Sequence, residues 1–369
     1  MRKDLAIRFK ENPLLMPKDL APSREELQII CLLNPGVFRF RGKIWLLVRV
    51  AESIAQKEGV IFFPALSATG RMEIIEVPLN DPDLVATDAR IVNYKGLDYL
   101  TTVSHLRLLV SEDGIHFSDP QAIEAALFGR GELERYGIED CRVSQIGEDY
   151  YLTYTAVSES GVGVGLRITR DWRQFDFKGM ILPPHNKDAA IFEEKIDGKF
   201  FLLHRPSSKE IGGNYIWLSE SLDGLHWGNH KCLIKTRPGF WDSARVGAGA
   251  APIRTPYGWL EIYHGANAEQ QYCLGAFLMD IKNPSVVIAR TTDPIMAPTE
   301  KYELSGFFGY VVFTNGHVVD GDQLTIYYGA ADEFVCGAYF SINEILAALG
   351  FRTGTTCPFK LNDDKHGNK

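Results

Sequence analysis

One short phrase recurs along the chain and constrains its fold more than any other feature. A Gly or Asp turn is followed by an aromatic-rich strand, then by a second strand ending in Ser/Thr-x-Asp-x-x-x-Phe/Trp. Gly147 to Tyr154 leads to Thr169, Asp171 and Phe175, and Asp197 to Leu203 leads to Ser221, Asp223 and Trp227. Tyr257 to Tyr263 and Gly321 to Tyr328 repeat the first half, and Ser111, Asp113 and Phe117 repeat the second. A recurrence of roughly 50 to 60 residues built from short β units predicts a propeller. In a propeller the inner strand of every blade lies round one axis, so residues distant in sequence meet in one funnel.

The repeats run from near Gly36 to Tyr339 in a chain of 369 residues, which favours a single all-β propeller domain over two domains. The stretch 52–100 fits the pattern least. Phe62–Leu66 and Met72–Val77 read as a hairpin, while Asp88 and Arg90, followed by Tyr99, echo Asp140 and Arg142, followed by Tyr151. The region is either a sixth blade or an insertion in the first, and five blades with an insertion is preferred. Such an insertion is a natural lid, or the contact of a possible homodimer. Residues 1–35 read as a lead-in across the propeller, with a capped helical turn at Ser23–Leu27. A short helix is expected at 341–349 and a disordered tail from about 360 to 369.

The formal charge of −8 argues against a nucleic-acid partner, whose binding surface is basic. No apolar run approaches the ~20 residues that span a bilayer, so no membrane partner is expected. The charged N-terminus lacks a signal-peptide core. Six scattered cysteines suggest neither a zinc site nor a disulfide framework, and hence a cytoplasmic protein with reduced thiols.

Candidate functional residues lie near predicted inner-strand ends. Glu139-Asp140-Cys141-Arg142 opens one blade and Asn186-Lys187-Asp188 the next. His204-Arg205-Pro206 ends an apolar strand, Tyr263-His264-Gly265 ends its equivalent, Asp332 follows the last, and Arg49 ends the first. Taken singly, most have a bland reading as paired or solvated charges. Together they place several cations and two acids at one funnel. A bound oxyanion explains cations gathered in a cleft of an acidic protein. Trp172, Trp217, Trp227, Trp241 and Trp259 could offer sugar-stacking faces, but most aromatics in such repeats are core.

In these motifs, over about Gly36 to Leu346, the chain resembles glycoside hydrolase family 130, inverting β-mannoside phosphorylases and some β-mannosidases on a five-bladed propeller. The resemblance implies Asp140 as general acid, with Lys187, Arg205, Tyr263 and His264 at phosphate. It implies Asn34, Arg49, Arg142 and Asp332 at the mannosyl unit. It further implies inorganic phosphate as co-substrate, with no cofactor and no metal. The expected partners are phosphate and a β-mannoside, most like β-1,2-mannobiose or short β-1,2-oligomannan, with α-mannose 1-phosphate as product. The alternatives are an inverting β-mannoside hydrolase using Glu194 or Glu261 as base, and a non-catalytic sugar-binding propeller.

Overall fold

The recurring Ser/Thr-x-Asp phrase is a turn that ties itself. Ser111 Oγ accepts from Gly114 N–H at 2.8 Å, and Asp113 Oδ1 accepts from the N–H groups of Ile115 and His116, both at 2.9 Å. Ser221 and Asp223 repeat this with Gly224, Leu225 and His226, and Thr169 and Asp171 with Trp172, Arg173 and Gln174. Ser, Thr and Asp are the side chains that satisfy turn amides locally. Each such turn leads from the third strand of a sheet toward its fourth.

The computed structural model describes residues 4–351 apart from 68, 87–90, 122 and 208–210. Five antiparallel sheets form the blades. Blade 1 contains Leu27–Phe40, Lys43–Ile54, Thr102–Ser111 and Ala126–Leu127. Blade 2 contains Ile138–Ile146, Asp149–Ser158, Gly161–Thr169 and Asp176–Leu182. Blade 3 contains Asn186–Ile191, Phe200–Pro206, Ile216–Ser221 and Gly228–Ile234. Blade 4 contains Arg245–Ala248, Gly258–Ala266, Tyr272–Met279 and Val287–Arg290, with Ile253–Thr255 paired alongside. Blade 5 takes Val312–Asp320, Gln323–Ala330 and Phe334–Ser341 from the end of the chain and its outermost strand, Ile7–Arg8, from the beginning.

Alternation along each strand buries one apolar face against the next blade. Phe38, Trp45, Leu152 and Trp172 fill the interface of blades 1 and 2. Val164, Ile191 and Phe200 fill the next, then Phe192, Val246 and Trp259, then Leu274, Ile326 and Phe340. Phe9, Val48 and Tyr327 close the ring between blades 5 and 1.

The extra residues of blade 1 lie between its second and third strands. Val60–Leu66 pairs with Met72–Pro78, and Leu84–Ala86, Ile91–Tyr94 and Leu97–Leu100 form a second small sheet. Neither joins the ring. They pack through Phe63, Tyr99 and Tyr136 on the segment that leads into blade 2.

Two local expectations are corrected. The first inner strand starts at Leu27, not near Gly36, because the register break between Leu33 and Gly36 interrupts the alternation that marks a strand. Ser23–Leu27 is a turn leading straight into that strand, not a helical turn. Ser23 spends its hydroxyl and N–H on buried Glu52. The helix Ile342–Ala348 is present, capped by Ser341 Oγ accepting from Glu344 N–H at 3.1 Å. The expected tail at 360–369 lies outside the described residues, as do Asp88 and Arg90. No helix among the described residues is long and apolar enough to cross a membrane.

Candidate active site

The inner strands of blades 1, 2 and 3 break register at matching places. The breaks fall between Leu33 and Gly36 in blade 1, Glu139 and Arg142 in blade 2, and Lys187 and Ala190 in blade 3. Each break holds one Asn or Asp in the left-handed region: Asn34 at φ 35°, Asp140 at 47° and Asp188 at 52°. These are the non-glycine residues most at ease there, and a bulge re-aims the side chain it carries. All three line one cavity of about 560 Å³, together with Arg49, Lys187, Arg205 and Asp332.

One wall carries the acids. Asn34 Nδ2 donates to Asp140 Oδ1 at 3.1 Å. Arg49 spans the wall, with Nη1 3.3 Å from the same oxygen, Nη2 2.7 Å from Glu139 Oε1, and Nε donating to Ser104 Oγ at 3.1 Å. Burial pushes the Asp140 carboxyl up, but Arg49, Arg142 and Lys187 outweigh it and hold the group below its usual value. Asp332 moves the other way. Burial, opposed by Arg49 and reinforced by the Asp140 charge, lifts it from 3.8 to about 6.

That shift has a stability consequence. The unfolded Asp332 carboxyl loses its proton near 3.8 and the folded one near 6. Between these values the folded state holds a proton that the unfolded state has released, so stability falls as pH rises through this window, by at most about 3 kcal/mol. Asp332→Asn, neutral throughout, is expected to unfold at higher urea than the parent at pH ~7 and at the same urea at pH ~4. Urea midpoints that track the parent at every pH would show that Asp332 carries no such strain.

The opposite wall carries cations. Lys187 makes no ion pair among the described residues. Among the described residues Arg245 is held by neutral groups, Nη1 to Tyr272 Oη at 2.9 Å and Nη2 to Gln270 Oε1 at 2.7 Å, and its buried Nε has no partner there. Arg205 Nε donates to Asp188 Oδ2 at 2.6 Å. Asp188 also meets Arg142 Nη2 at 3.2 Å and His264 Nε2 at 3.3 Å. Burial pushes the Asp188 carboxyl up, and Arg205, His264 and Arg142 bring it well below its usual value. Burial takes His264 the other way, down to about 4, against the pull of Asp188.

The cavity thus gathers Asp140, Lys187, Arg205, Asn34, Arg49 and Asp332 from the sequence-derived set. Three members of that set lie elsewhere. Tyr263 is fully buried on the other face of its strand, donating to Asp242 Oδ2 at 2.8 Å and accepting from Arg290 Nε at 3.0 Å. Adjacent strand residues point oppositely, so His264 and Tyr263 cannot both face the axis. Arg142 is 1% exposed and does not line the cavity, with Nε, Nη1 and Nη2 donating to the Gly249, Asp140 and Ala248 carbonyls and Nη2 also to Asp188. His264 sits one layer behind Asp188, against the Phe313 ring. None of the tryptophans lines the cavity, and its aromatic faces are Tyr272, Phe308 and Phe313. Asp188, Arg245 and these rings were not anticipated. Among the described residues, nothing from 55–101 lines the cavity.

The comparisons agree with one another. A family model described as β-1,4-mannooligosaccharide phosphorylase, glycoside hydrolase family 130, matches residues 81–350. The chain is 41% identical to the β-1,2-mannobiose phosphorylase of Listeria innocua serovar 6a over 348 residues, 93% of this chain and 98% of that protein. A solved structure of β-1,2-mannobiose phosphorylase from Listeria innocua, in complex with β-1,2-mannobiose, matches with a TM-score of 0.87, covering 94% of this chain and 99% of that one. The 1,2-β-oligomannan phosphorylase of a Thermoanaerobacter species is 37% identical over 246 residues, 66% of this chain and 80% of that protein.

Proposed function

We infer the reaction from one premise: this chain belongs to glycoside hydrolase family 130. It catalyses inverting phosphorolysis of β-1,2-mannosides, with phosphate as co-substrate, β-1,2-mannobiose or short β-1,2-oligomannan as donor and α-mannose 1-phosphate as product. The observation that carries this reading is the cationic wall. Lys187 and Arg245 line the cavity with no carboxylate partner among the described residues, and such cations are stable there when an anion meets them.

A hydrolase needs a second carboxylate to activate water, whereas phosphate is already an anionic nucleophile. The carboxylates considered for that base do not serve. Glu194 is exposed and pairs with Arg254 at 3.1 Å, and Glu261 is buried outside the cavity with its Oε1 on Gly249 N–H. Phosphate held by Lys187, Arg205 and Arg245 attacks the anomeric carbon as the glycosidic C–O bond breaks. Asp140 supplies the proton to the departing oxygen, directly or through a sugar hydroxyl. Asn34, Arg49 and Asp332 hold the mannosyl unit. Of the cations that hold the Asp140 carboxyl below its usual value, Lys187 also holds phosphate, so phosphate binding offsets that part of the pull and favours the protonated acid that the reaction needs.

Two finer features complete the reading. The outer sheet of the insertion exposes Val85, Ile91 and Leu97 and suits a homodimer contact, which a light-scattering mass tests. A cytoplasmic setting suits the five free cysteines among the described residues.

The test of the reaction is turnover of β-1,2-mannobiose with and without inorganic phosphate, followed by phosphorus NMR. Phosphate-dependent α-mannose 1-phosphate is the expected result. Equal release of free mannose in both tubes would make the enzyme a hydrolase, and no product from any β-mannoside would leave a binding propeller.

A further inference from the structure

We infer that Asp188 is a positioning residue for the phosphate nucleophile, acting by holding the Arg205 guanidinium from its Nε edge so that the opposite fork faces the cavity. The inference rests on the phosphorolysis reading and goes beyond it, because Asp188 itself is an anion on the wall where an anion binds. Simple Coulomb repulsion makes a carboxylate there unfavourable for phosphate. Its presence therefore calls for a geometric role.

The geometry supplies one. Asp188 Oδ2 takes Arg205 Nε at 2.6 Å, and Arg205 has no other hydrogen-bond or ion-pair partner among the described residues. A guanidinium anchored through Nε keeps both Nη groups for a second, bidentate partner, the arrangement that suits phosphate oxygens. The anchor is itself fixed from behind. Asp188 Oδ1 meets Arg142 Nη2 at 3.2 Å, and Arg142 is locked by three backbone carbonyls. His264 Nε2 lies 3.3 Å from Oδ2.

The chain also leaves no slack around this pair. A Cβ on Gly247 would stand 2.3 Å from Asp188 Oδ2 and 2.4 Å from His264 Nε2, so the neighbouring strand approaches as closely as a glycine allows. Asp188 is thus a buried carboxylate at the cavity wall, held by Arg142, His264 and Arg205, and of these three Arg205 is the one that lines the cavity.

The two roles predict opposite signs. If Asp188 positions Arg205, Asp188→Asn raises the KM for phosphate by about ten- to a hundredfold, with the KM for β-1,2-mannobiose within about twofold of the parent. If Asp188 is only a counter-ion, removing its charge leaves the phosphate KM unchanged or lowers it. Asn tolerates the left-handed backbone here, and Arg205→Lys provides a second arm that leaves Asp188 intact. It keeps the charge but loses the guanidinium fork itself, so a selective rise in phosphate KM is expected if that fork holds phosphate, and a parental value would show that there is no fork for Asp188 to position. In an Arg205→Ala background, Asp188→Asn is expected to add less than about twofold. An independent, multiplicative loss in that background would overturn the inference, as would a parental phosphate KM in Arg205→Lys. No sugar phosphate from the parent enzyme would overturn the phosphorolysis reading as well. A parent that phosphorolyses, with Asp188→Asn binding phosphate as tightly or more so, would overturn this inference alone.

Discussion

Asp140→Asn is expected to slow phosphorolysis of β-1,2-mannobiose by about 10²–10⁴-fold, the usual worth of a positioned acid, while leaving the fold intact. The fold should hold because Asn suits a left-handed residue at φ 47°. Its amide oxygen can also take the place of Oδ1, which accepts from Asn34 Nδ2 and Arg49 Nη1. What disappears is the transferable proton. A substrate whose leaving group needs no proton separates this loss from damage to binding. With a nitrophenyl β-mannoside and phosphate, Asp140→Asn should fall within about tenfold of the parent. Asp332→Asn, whose role is to hold the mannosyl unit, should stay slow on both substrates. The reverse pattern would move the acid to Asp332. The structure gives that rival some weight, since Asp332 is the carboxyl whose proton affinity is raised to about 6 while that of Asp140 is lowered. Near-parental turnover of mannobiose by Asp140→Asn would remove Asp140 from the chemistry.

How much of this could be read beforehand depends on whether the relevant contacts are local. The Ser/Thr-x-Asp turns were legible because their hydrogen bonds close within three residues, as at Ser221 and Asp223. The convergence of Arg49, Asp140, Lys187, Arg205 and Asp332 followed from repeats that bring equivalent strand ends to one axis. Tyr263 was within reach of the same reasoning, since strand alternation alone sends it away from His264. Lys187 and Asp188 show why alternation is not sufficient. They are neighbours, yet both line the cavity, because the register breaks between Lys187 and Ala190. That break is a property of pairing with another strand and leaves no mark in composition. Arg245, Tyr272 and Phe313 belong to blades 4 and 5, Phe308 lies on the segment between those blades, and all four reach the cavity only once the ring is closed. The two-residue strand Ile7–Arg8 is equally silent, with a partner at Ala338 and Tyr339.

That short strand closes the ring without a covalent bond, and Arg8→Ala is expected to cost about 3 kcal/mol of stability. Arg8 Nε meets Glu303 Oε1 at 2.7 Å, its Nη2 meets Glu303 Oε2 at 3.1 Å and the Ala297 carbonyl at 2.7 Å, and its Nη1 meets Asp4 at 2.9 Å. The Glu303 side chain is fully buried and that of Arg8 is 12% exposed, so water cannot replace the lost partner. Breaking a buried pair from one side typically costs 3–5 kcal/mol. The lower end applies because Glu303 keeps Tyr328 Oη at 2.8 Å and the N–H groups of Thr299 and Glu300. Arg170→Ala, which removes a side chain 67% exposed and paired with Asp149, should change stability by less than about 1 kcal/mol. Urea unfolding of the two variants beside the parent makes the comparison. Should Arg8→Ala unfold with Arg170→Ala, closure rests on other contacts of the same segment: Phe9 against Tyr339, with ring centroids 4.5 Å apart, and Asn12, whose side chain pairs with the Gly337 N–H and carbonyl at 2.8 and 2.9 Å in the manner of a strand. A clear loss in Arg8→Ala alone would mean that the first residues of the chain hold blade 5 shut through a buried charge. Asp332 follows the second strand of that blade, so acid wall and closure would then loosen together, and Arg8→Ala should lose activity at a lower urea concentration than the parent.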